Sequence, residues 1–153
     1  MSDINELVSA VQSLNAEDAF RPRLGFEQWR VLSQYLTPHE LRGGESLVRQ
    51  GDADRTVYLV ARGTLQMYST GPARRVAVLR PGSIVGEAML FLDSPHAMSV
   101  EAMTPTVVWA LRMPRFEELA QRVPALAIEL LRAAGATLAR RLQPATPRPA
   151  AAP

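Results

Sequence analysis

Between residues 43 and 82 the chain is cut five times by turn signals: Gly43-Gly44, Gly51-Asp52, Gly63, Gly71-Pro72 and Pro81-Gly82. The runs between them, Glu45 to Gln50, Thr56 to Arg62, Thr64 to Ser69 and Arg74 to Arg80, follow a period of two and predict short β-strands. Met98 to Ala102 and Thr106 to Arg112 read in the same way, the second rich in β-branched residues and closed by Pro114. Many short strands at regular spacing predict a sandwich or a jelly-roll barrel.

Helical patterns flank this block. Ile4, Leu7, Val8, Val11 and Leu14 fall at helical spacing behind Ser2-Asp3 and predict an amphipathic helix over residues 3–14. Asn15 to Gly25 reads as a connector, and Phe26, Trp29, Leu32, Tyr35 and Leu36 predict a second helix that ends before Pro38. After the strands, Arg115 to Arg122 predicts two helical turns, and Pro124 suits the first position of a helix running to about Gln143. That last helix carries two apolar stripes: Ile128, Leu131, Gly135, Leu138 and Leu142, and beside it Leu126, Leu130, Ala134 and Thr137. One stripe suffices to dock the helix on its own domain, and the other is left for a second chain, for closure over a ligand, or for the same domain. The Pro/Ala-rich residues 144–153 predict a disordered tail.

Within the strand block one stretch breaks the pattern. Arg80 to Val100 contains the Pro81-Gly82 turn, Gly86, a short helical run Glu87-Ala-Met-Leu-Phe-Leu92, and a stop at Asp93-Ser-Pro95. A helix so short is no core element; its first amides, next to a glycine, suit an anion such as a phosphate.

Composition excludes several functions. The chain has no cysteine, so neither a disulfide framework nor a thiolate metal site can form, and His39 and His96 lack ligand-like spacing. No apolar run is long enough for a membrane span, and the acidic first twenty residues do not resemble a signal peptide. The expected setting is the cytoplasm. All 17 basic residues are arginine, and a net charge of +2 is too small to argue for nucleic-acid binding. The arginines from Arg112 to Arg148 read as a solvated helix face and tail. No catalytic set of Ser, His and acid appears, nor a phosphate-binding Gly-Lys loop, so an enzyme is not expected.

Gly82, Gly86-Glu87, Leu90, Pro95, Ala97 and Ser99-Val100 resemble the phosphate-binding cassette of the cyclic nucleotide-binding domain family. Gly44-Glu45, Gly51-Asp52, Val57-Tyr58-Leu59-Val60, Gly63 and Val100-Glu101-Ala102 are similar to that family's barrel motifs, so the resemblance covers about residues 27 to 142. It implies a mainly β fold with flanking α: a jelly-roll β-barrel of about eight strands, N-terminal helices and a C-terminal helix pair. The expected divisions are residues 1–26 for the first helix and connector, 27–143 for the domain, and 144–153 for the tail.

The resemblance also implies a ligand, cyclic AMP or cyclic GMP, with no further cofactor. Glu87 would bind the ribose 2′-hydroxyl. The amides around Gly86, Glu87, Ala88 and Met89 would hold the cyclic phosphate, with His96, Ala97 and Ser99 completing the site. The family carries Arg where this chain has His96. A guanidinium gives a permanent, two-pronged contact, whereas an imidazole is shorter and offers one nitrogen to a given anion. Without a ligand, Glu87 reads as an exposed acid favoured at a helix start, His96 as a loop residue and Ser99 as the start of a strand.

Two functions remain open on these residues. One is a stand-alone receptor that signals through its last helix; the other is a degenerate barrel that binds a protein partner and no nucleotide. A homodimer or partner contact is expected through residues 124–143. Because regulators of this family carry a helix-turn-helix after the last helix and this sequence stops soon after it, direct DNA binding is not expected.

Overall fold

The structure, a computed structural model, describes residues 3–69 and 74–143. Among them are eight strands in two four-stranded antiparallel sheets, together with four α-helices. The strands are β1 (Thr37–Leu41), β2 (Ser46–Val48), β3 (Thr56–Arg62), β4 (Leu65–Ser69), β5 (Arg74–Leu79), β6 (Ile84–Val85), β7 (Ser99–Ala102) and β8 (Thr106–Arg112). The helices are α1 (Ile4–Ser13), α2 (Phe26–Ser33), α3 (Met113–Arg122) and α4 (Pro124–Leu142). One sheet runs β1-β8-β3-β6 and the other β2-β7-β4-β5.

β3 and β8 form the centre of the first sheet, with Tyr58 opposite Ala110 and Leu59 opposite Trp109. Both strands are buried on both faces, which is why their sequences are almost continuously apolar. Alternate side chains feed two cores. Val57, Leu59, Val107, Trp109 and Leu111 join the helices. Tyr58, Val60, Val108 and Ala110 meet Val48, Leu65, Leu79 and Val100 from the second sheet.

The helical layer is stitched together by its connector. Asp3 caps α1 by accepting from the Asn5 amide at 2.9 Å, and Leu7 and Val11 of α1 are buried in the helical core. Beyond α1 the chain runs antiparallel along α4. The Arg23 amide donates to Glu129 at 2.7 Å, Thr137 Oγ1 to the Ala19 carbonyl at 3.3 Å, and Arg141 Nε to Asp18 at 2.9 Å. We call this segment, residues 15–23, the strap.

Three elements differ from expectation. Thr37–Leu41, read as the end of a helix and a link, is strand β1 and, among the described residues, pairs only with β8. An edge strand tolerates Pro38 because it needs no second row of amide donors. The two-residue β6 was also not expected, and the helical run after Gly86 stops at Leu90 as a single 3₁₀ turn. The Gly71-Pro72 turn and the expected tail lie outside the described residues.

Candidate functional site

The cassette hangs from β6. Ile84 and Val85 pair with Leu59 and Tyr58 of β3, which fixes the height at which the chain leaves the sheet. Gly82, just before, packs against α1 so closely that a Cβ there would lie 2.4 Å from the Ala10 carbonyl oxygen. Gly86 then takes φ 77°, left-handed backbone that favours glycine, and the chain folds into the 3₁₀ turn Glu87–Leu90. The Met89 amide donates to the Gly86 carbonyl at 2.9 Å, so the amides left for an outside acceptor are those ahead of it. Met89 is buried in the helical core, with Ala88 and Leu90 packed against it.

Glu87 is not solvated. Its side chain is 10% exposed, and its carboxylate accepts from Arg141 Nη1 of α4 at 2.9 Å. The same Nη1 donates to the Ile84 carbonyl at 3.1 Å, while Nε reaches Asp18 of the strap. One guanidinium thus joins the cassette, the strap and the last turn of α4. Arg141, read as part of a solvated face, is only 18% exposed along its side chain.

His96 is buried and held by main chain. Its amide donates to the Asp52 carbonyl and its carbonyl accepts from the Gly51 amide, both at 2.9 Å. Nε2 lies 2.7 Å from the Asp54 carbonyl oxygen, which can only accept, so Nε2 carries a proton. The ring also borders Gly86: a Cβ there would meet His96 Cε1 at 3.2 Å. Glu87 follows Gly86 in the turn, and His96 packs against Gly86. Ala97 is exposed; Ser99 is buried at the start of β7, where its Oγ accepts from the Gln50 amide at 2.9 Å. Ser99 is tied to the link after β2. Below them, burial and then the charge of Asp54 push the Tyr58 hydroxyl above its usual range, so it stays protonated.

An open cleft of about 390 Å³ lies beside the Glu87 ion pair. Met67, Leu79 and Ser83 line one side, Leu14 and Asp18 the other, and Arg141 also borders it. Of the two α4 stripes, Leu126, Leu130, Ala134 and Thr137 are buried, whereas Ile128 and Leu142 are exposed at 65% and 74%. No helix among the described residues is long and apolar enough to cross a membrane.

This arrangement, a two-sheet barrel with a Gly-Glu turn under a C-terminal helix, has known relatives. The family described as cyclic nucleotide-binding domain matches residues 38–123, more than half of the sequence. The chain belongs to the cyclic nucleotide-binding domain family. The cyclic AMP receptor protein of Thermus thermophilus is 34% identical over 105 residues, which is 67% of this chain and 47% of that protein. A cAMP-dependent protein kinase regulatory subunit of Eremothecium gossypii is 36% identical over 76 residues, 50% of this chain and 16% of that protein. This cyclic nucleotide-binding domain therefore spans less than half of either relative. A solved cyclic nucleotide-binding domain from Methylobacillus flagellatus superposes with a TM-score of 0.78 at 20% identity, covering 90% of this chain and 77% of that one. The likeness of those folds extends to the helices that flank the barrel.

The residues that sequence reasoning missed in this domain are Arg141, Asp18 and Asp54. Arg141 stands 54 positions from Glu87 and 123 from Asp18, and no local pattern links residues so far apart.

Proposed function

We propose that this domain is a cytoplasmic regulatory receptor for a cyclic mononucleotide, cyclic AMP or cyclic GMP, and signals through α4. The observation that carries the reading is the Gly86-Glu87 turn: left-handed glycine, then a buried carboxylate, within the stretch that matches the family. In this reading Glu87 accepts the ribose 2′-hydroxyl, and the amides ahead of Met89 take the cyclic phosphate. The relatives' names, a cyclic AMP receptor and a cAMP-dependent kinase subunit, support the ligand class.

Calorimetric titration with cyclic AMP and cyclic GMP tests it. Glu87→Ala should lose about 1.5–3 kcal/mol of binding, roughly ten- to a hundredfold, the range for a hydrogen bond to a charged group. A 2′-deoxy ligand should lose a similar amount on the unaltered chain. Equal affinity for ribose and 2′-deoxy ligands would remove Glu87 from the site.

One observation favours a second reading, an interaction module without nucleotide. The imidazole that replaces the family arginine is tied to the Asp54 carbonyl through Nε2. In that tautomer its other nitrogen presents a lone pair, which repels a phosphate oxygen unless a proton is taken up. Absence of heat with either nucleotide, at concentrations well above millimolar, would decide for this reading.

A further inference from the structure

The guanidinium of Arg141 already holds an anion in the cleft, and that anion belongs to the chain itself. Asp18 lies 2.9 Å from Nε, its side chain 44% exposed, on the strap that walls the cleft. Glu87, on Nη1, is 10% exposed. The two carboxylates are therefore unequal partners. Glu87 has little water to turn to, and its separation from Arg141 would leave a buried charge uncompensated. Asp18, the more exposed of the two, can move into solvent at a smaller cost than Glu87.

Glu87 and the Ile84 carbonyl also fix the guanidinium in place. Its Nε edge thus stays aimed at one spot, bordered by the roughly 390 Å³ cleft and by a second cleft whose charged lining is Arg21, Arg140 and Glu17 besides Asp18 and Arg141 themselves. Such a volume suits a mononucleotide-sized ligand. Arg80 lines the first cleft as well, so the surroundings favour negative charge once Asp18 has left.

We propose that the Asp18 carboxylate is a stand-in for a ligand anion at Arg141, so that the strap inhibits the site and a phosphate-bearing ligand frees it. The inference rests on the cyclic nucleotide reading of the cassette. It adds a cationic contact from α4, through the arginine that already holds Glu87, and it names residues 15–18, ahead of the buried Ala19 and Phe20, as the stretch that moves on binding. Nε carries a single hydrogen, so an anion that takes it must displace Asp18 from that nitrogen.

Asp18→Asn keeps the shape of the side chain and removes its charge. It should bind cyclic AMP or cyclic GMP about tenfold more tightly than the unaltered chain, within the usual span of coupling between sites. Hydrogen exchange of residues 15–18 should quicken when nucleotide is added to the unaltered chain and be already quick in Asp18→Asn. Asp18→Ala guards against a residual hydrogen bond from the amide and should behave alike. Nucleotide binding that Asp18→Asn leaves unchanged or weaker, with strap exchange unaffected by ligand, overturns the stand-in and leaves the receptor reading intact. No binding by either protein overturns both.

Discussion

Glu87 and His96 meet at the same glycine yet are held by different kinds of partner. His96 is fixed by three hydrogen bonds, all to main chain of residues 51–54, a loop close by in the barrel. Glu87 is fixed by one side chain from the far end of α4, which is shared with the strap. Main-chain bonds of a folded loop cannot be released singly, whereas a guanidinium is carried by the helix it belongs to and keeps its carboxylate only while that helix stays docked. The difference teaches which half of the cassette is built into the barrel and which is tied to α4: His96 belongs to the first, Glu87 to the second.

The sharpest way to break this contrast is to remove each anchor and compare. His96→Ala should cost the most, about 3 kcal/mol, since it empties a buried site and strands the Asp54 carbonyl. Arg141→Ala should cost about 2 kcal/mol, less than a fully buried pair because the Asp18 half is exposed. In urea unfolding, Glu87→Ala should recover part of the Arg141→Ala loss when the two are combined, because no carboxylate is then left uncompensated. His96→Ala should show no such recovery with Glu87→Ala. If it does, the two ends are one network and the contrast fails.

A smaller effect sharpens the account of the strap. Glu129 anchors its other end, and hydrogen bonds from Arg132 and then from the Arg23 amide hold its carboxyl at about 2, against an ordinary 4.5. A carboxyl whose pKa is lower in the folded state adds stability that is complete above about 4.5 and disappears as the pH falls towards 2. Glu129→Gln should therefore lower stability near neutral pH by about 1 kcal/mol, or 2–4 °C in Tm, and match the unaltered chain near pH 2. A gap that persists at that pH would show that the amide fails for reasons of shape.

Much of this was legible in the sequence. β3 and β8 stand at the residues their apolar runs marked, since a strand buried on both faces needs such a run. β1 was hidden by Pro38, which reads as a break unless the strand is known to lie at an edge. The cassette's position could be read from its glycines, but the burial of Glu87 could not. That burial depends on an arginine whose own neighbours, Arg140 and Gln143, look like solvated helix. The second α4 stripe is buried and the first left partly open, a choice made by how α4 docks on α3, the 3₁₀ turn and the strap.

The central place of β8 dictates an order of events during synthesis. Its partners are β1, 69 or so residues upstream, and β3, while no pairing between β1 and β3 bridges the gap. A ribosome that has released residues 37–62 has therefore delivered two strands with an empty lane between them. Residues 106–112 must clear the exit tunnel before the first sheet can close. Contacts of such long range make folding slow, on the order of milliseconds to seconds. Until then the apolar faces of β3 lack the strand that covers them, and the partly made domain is open to aggregation.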